Sequence, residues 1–117
     1  MREQLIKQLL DIPLDIEAKE NELIVRKNDL EELKHSISYY EYQMSTQVEK
    51  DAENNKELSN ATKRKLELKR RLEQSKTYSA LQEELKEIQA IYHTLSFRVA
   101  RLKREFSGAK AISRLGE

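Results

Sequence analysis

The chain has 117 residues, 37% of them charged, with two glycines, one proline, no tryptophan and no cysteine. That length holds one domain at most, and the missing cysteines exclude a disulfide framework and a thiolate zinc site. A net charge of +1 and a mean hydropathy of −0.84 exclude a general polycation and point to long solvated helices rather than a compact mixed fold.

The opening stretch MREQLIKQLLDIPLDIEAKE places acids early and has no long apolar run. It predicts neither a signal peptide nor a membrane span, so the cytoplasm is the expected compartment and no membrane partner is expected. Pro13 lacks an N–H and suits a first helical turn. A short leading helix is therefore expected over 1–12, and helix 1 over 14–50. Leu9, Ile16, Leu23, Leu30, Ile37 and Met44 recur every seven residues, the mark of a coiled-coil seam. Ile12, Leu33 and Tyr40 accompany them, but Lys19 and Arg26 interrupt the companion row.

The pattern fails over EKDAENNKELSNATK. Asn54-Asn55 favours a turn, expected over 51–59, and Ser59 or Asn60 is a helix cap. Helix 2 is expected over 60–107. Its seam runs through Leu81, Leu85, Ile88, Tyr92, Leu95, Val99, Leu102 and Phe106 in steps of four and three. Gly108 weakens the helix, and 108–117 are expected to form a C-terminal tail that continues or packs back.

A chain that reverses near Asn55 pairs residues whose numbers share a constant total. Leu9 with Leu102, Ile16 with Leu95, Leu23 with Ile88, Leu30 with Leu81 and Leu33 with Tyr78 all give 111. The expected fold is thus all-α: an antiparallel two-helix coiled-coil hairpin in a single domain. One such seam is thin against the conformational entropy of ordering the chain. The off-seam residues Ile24, Val25, Leu68, Ile91 and Phe97 are accordingly expected to form an oligomer interface, making the protein a homo-oligomeric helical bundle.

Charge is divided unevenly: residues 1–58 carry 8 Lys and Arg against 14 Asp and Glu, and residues 59–117 carry 14 against 7. The densest basic stretch, KRKLELKRRL, holds Lys63, Arg64, Lys65, Lys69, Arg70 and Arg71 around one acid. Under the total of 111 it faces about 40–48, where Glu41 is the single carboxylate and Glu49 lies just beyond, so its charge is expected to be unquenched. Tyr39 and Tyr42, of SYYEYQ, lie in the same neighbourhood, off the seam. Cations neutralise phosphates and release counterions, while rings stack on unpaired bases, which predicts non-specific single-stranded DNA binding. The second basic cluster, Arg98, Arg101, Lys103 and Arg104, faces about 7–13 and is read as ion-paired with acids such as Asp11 and Asp15.

His35 and His93 do not face one another, and there is no Gly-rich phosphate loop or nucleophile motif, so no metal, cofactor, small-molecule substrate or enzymatic activity is expected. The class opposed to nucleic-acid binding is a protein-interaction adaptor whose apolar stripe docks a partner.

The stretches SNATKRKLELKRRLEQSKTYSALQEEL and YHTLSFRVARLKREFSGAKAI resemble small coiled-coil proteins of phage recombination modules and, more distantly, the UvsY-type recombination mediators. The likeness covers about the last half of the chain. It rests on an Asn-Ala-x-x-Arg element at Asn60 to Arg64, on Tyr78 before the leucine seam, and on a basic, aromatic C-terminal helix. The resemblance implies a homo-oligomer that binds single-stranded DNA beside a recombinase, an annealing protein or a single-strand-binding protein. It also implies that Lys63, Arg64, Lys65, Lys69, Arg70 and Arg71 contact the DNA.

Overall fold

The computed structural model describes residues 2–115; Met1, Gly116 and Glu117 lie outside the described residues. The described chain is all-helical, with α1 at Arg2–Ala52, a 3-10 turn at Lys56–Leu58, α2 at Ala61–Gln74 and α3 at Lys76–Leu115.

Three boundaries differ from the expected ones. Among the described residues, helix α1 runs through Pro13 without a break, in place of the separate leading helix expected over 1–12. Proline removes one backbone hydrogen bond and crowds the preceding turn, but the flanking Ile12 is buried, and that packing holds the helix across the defect. The expected helix 2 is two helices, because Ser75 ends α2 and opens α3 in an extended conformation (φ −77°, ψ 120°). The expected tail is helical as far as Leu115. Ala109, just past Gly108, is among the most buried residues at 4% exposure, so the four–three seam outlasts the glycine.

The connection from Glu53 to Asn60 is built from asparagines. Asn55 accepts from the Glu57 N–H at 2.9 Å and caps the 3-10 turn. Asn60 accepts from the Lys63 N–H at 2.8 Å and caps α2. Each cap satisfies a backbone donor that a helix start leaves unpaired. Leu58 is buried between the two caps in sequence.

The chain divides into two compact units, Met1–Asp29 with Ile88–Glu117, and Leu30–Glu87. In the first, Ile12, Leu95, Val99 and Ala109 are buried. Lys103 Nζ lies 3.0 Å from Glu20, and Asp15 and Lys19 share one concavity with Arg98, Arg101, Leu102 and Glu105. Lys19 occupies a seam position but turns to Asp15 on its own helix, 3.4 Å away. Arg26 does the same with Asp29 at 3.6 Å. Both long side chains lay their stems along the seam and pair on their own helix, with Arg26 Nε buried and without a hydrogen-bond partner among the described residues.

In the second unit Leu30, Leu33, Ile37, Val48 and Leu58 are buried. Tyr78 does not meet Leu33. Its ring stacks on Tyr40 with centroids 6.0 Å apart and planes 16° apart, and its hydroxyl donates to Glu41 Oε1 at 3.2 Å. The totals of contacting residue numbers run from 113 for Glu49–Arg64 through 118 for the tyrosine stack to 123 for Glu20–Lys103. All exceed 111, and the stack is displaced by one heptad. A seam that repeats every seven residues matches itself after a slip of seven, so seam residues alone do not choose between the two registers.

Candidate nucleic-acid interface

The basic run lies on α2, and its register decides its electrostatics. Glu67 is one turn from both Arg70 and Arg71. It accepts from Arg70 Nη2 at 2.5 Å, from Arg70 Nε at 3.0 Å and from Arg71 Nε at 2.8 Å. These charged hydrogen bonds, with the arginines' positive charge, hold the Glu67 carboxyl at about 2, well below its ordinary 4.5. Both guanidinium pKa values are pushed up in return, chiefly by the hydrogen bonds to Glu67.

Acids of α1 complete the pairing. Arg71 Nη2 reaches Asp51 at 2.8 Å, and Arg64 Nε reaches Glu49 at 3.2 Å. Arg64 Nη1 also donates to the Leu58 carbonyl at 3.1 Å. Lys69 lies 4.0 Å from Glu73. The expectation of an unquenched run is therefore corrected: its three arginines are engaged, because α2 meets the Glu49–Asp51 end of α1 and carries Glu67 in its midst. Lys63 and Lys65 are exposed and have no acid partner among the described residues.

The tyrosines are not assembled with these cations. Tyr39 and Tyr42 are 62% and 68% exposed. Tyr42 borders a concavity with Tyr40, Gln43, Met44, Thr46 and Gln47 that no basic residue lines. A separate concavity holds Arg64 and Lys65 with Ser45, Val48, Glu49, Ala61 and Leu68. Leu68 is half-buried and borders this concavity together with α1 residues. Ile24, Val25, Ile91 and Phe97 remain exposed.

Sequence reasoning missed a polar group beside the basic run. The Tyr40 hydroxyl and Ser75 Oγ are 2.5 Å apart, and Ser75 Oγ also accepts from the Tyr78 N–H at 3.1 Å. Ser75 is thus both the first cap of α3 and a bridge to α1. Loss of hydration on packing, with the Glu41 charge adding, pushes the Tyr78 phenol up from its ordinary value. The available signal was Ser75 three residues before Tyr78, where the leucine seam begins.

No protein-family model, curated protein or solved structure matches the chain.

Proposed function

We propose that the chain is a structural coiled-coil protein with antiparallel helix pairing, working by self-association rather than catalysis. One observation carries this reading: Leu10, Leu14, Ile24, Val25 and Phe97 are each more than half exposed, on helices whose other faces are already packed. Apolar surface gathered in this way marks an association face. The occupant is a second copy, because an acid-bearing α1 and a base-rich α3 make the chain complementary to itself. Light scattering across a concentration series tests this. A mass above the monomer that falls when Phe97→Glu is introduced supports the reading, and a monomer throughout rejects it.

A second reading is favoured by the exposure of Lys63, Lys65, Lys69, Tyr39 and Tyr42. It is non-specific single-stranded DNA binding, as in the recombination mediators and phage recombination proteins that the sequence resembles. Its protein partners would then be a recombinase, an annealing protein or a single-strand-binding protein. Two free lysines, with Lys69 paired to Glu73, release few counterions, so the salt slope of oligo-dT affinity is expected at about −1.4, from about −0.7 per phosphate contacted. Anisotropy with labelled oligo-dT measures it; Lys63→Glu with Lys65→Glu should abolish the binding. A titration without salt-dependent binding at low salt removes this reading.

A further inference from the structure

Gly108 lies inside α3 in ordinary helical conformation, with no positive φ. A Cβ built there would meet nothing within 4 Å. Glycine is a poor helix former, and nothing inside this chain calls for one here. The residue belongs to a row on the outward side of α3: Phe97, Arg101, Arg104, Gly108 and Ala111, in steps of four, three, four and three. At 100° per residue this row lies opposite the packed row through Leu95, Val99, Leu102 and Phe106. Phe97 is 76% exposed, and Arg104 has no acid partner among the described residues.

An outward row of the same steps runs along α1: Leu10, Leu14, Glu17, Asn21 and Ile24. Leu10 and Leu14 are each 67% exposed. Laid antiparallel, the two rows match throughout. Leu10 meets Ala111, Leu14 meets Gly108, Glu17 meets Arg104, Asn21 meets Arg101 and Ile24 meets Phe97. A large side chain falls opposite each small one, and the acid falls opposite a base. Laid parallel, Leu14 would meet Arg101 and Gly108 would meet Asn21.

We infer that the outward face of α1 in one copy packs antiparallel on the outward face of α3 in a second copy, with Leu14 seated over Gly108. This rests on the self-association proposed above and specifies its geometry. Both rows belong to the first unit and point away from its packed seam, so each copy offers two different faces. Contacts of that kind are heterologous and do not close at two copies.

The full chain tests this without background thiols, since it has no cysteine. Leu10→Cys and Ala111→Cys variants, mixed and oxidised, should give a mixed disulfide, while each alone stays largely uncrosslinked. Gly108→Ala should raise the thermal midpoint of the dilute protein and yet weaken association about tenfold or more, because the added methyl fills the seat of Leu14. Self-crosslinking of the Leu10→Cys variant, or Gly108→Ala associating as well as the parent chain, would overturn the arrangement while leaving self-association intact. A parent chain that stays monomeric at every concentration sinks both.

Discussion

Glu67 sets how much of the α2 charge is available to anything outside the chain. Two guanidinium groups hold its carboxyl at about 2 in the folded protein, against about 4.5 ordinarily. A folded pKa below the unfolded one stabilises the fold above the unfolded value, and the effect is lost as pH falls from about 4.5 through 2. Glu67 is therefore expected to titrate near 2 by NMR, and Glu67→Gln should flatten the acid dependence of helicity in that window. A midpoint near 4.5 would show that the arginines are not engaged in solution. The same substitution frees Arg70 of its acid while Asp51 still holds Arg71, so it should tighten oligo-dT binding modestly if the second functional reading is right. Tyr78 has the opposite sign. Its raised phenol pKa means that its contribution is complete below about pH 10 and lost as pH rises through the folded value.

At the scale of elements, Ser75 does two jobs with one hydroxyl. It caps α3 through the Tyr78 N–H and ties the α2–α3 break to Tyr40 on α1. Loss of a cap costs about 1 kcal/mol, and loss of a half-buried hydrogen bond costs about 1 kcal/mol more. Ser75→Ala is thus expected to lower the urea midpoint by about 2 kcal/mol equivalent with the slope unchanged. A double-mutant cycle with Tyr40→Phe should show a coupling of at least about 0.5 kcal/mol; additive effects would mean that the two hydroxyls act separately. Pro13 provides the contrasting case. It sits inside a continuous α1, where proline is worse than alanine by about 3 kcal/mol. Pro13→Ala should stabilise the chain by up to that amount, read as a higher midpoint. No gain would mean that the helix starts after Pro13 in solution.

For the whole molecule, what could be read from the sequence followed from periodicity, and what could not followed from its degeneracy. The helical class, a break in pattern over 51–59 and a helix cap at Ser59 or Asn60 come from residue types with one dominant use. The seam residues Leu95 and Val99 are buried as their spacing requires. The register is different, since Leu23 fits opposite Leu95 as well as opposite Ile88, and every other seam residue shifts with it. The choice lies in features outside the seam: where the Glu53–Asn60 connection falls, and the interruption at Ser75. The basic run was misread because the segment expected to face it stops just short of Glu49 and Asp51, and because Glu67 lies one turn from two of its arginines. Register is directly measurable. A disulfide needs Cα atoms within about 7 Å, and Leu23, Ile88 and Leu95 all belong to the first unit. Leu23→Cys with Leu95→Cys should oxidise within one chain, whereas Leu23→Cys with Ile88→Cys should not. Run at high dilution, the reaction excludes crosslinks between copies. The reverse outcome would restore the total of 111 within the first unit and set Leu23 back opposite Ile88.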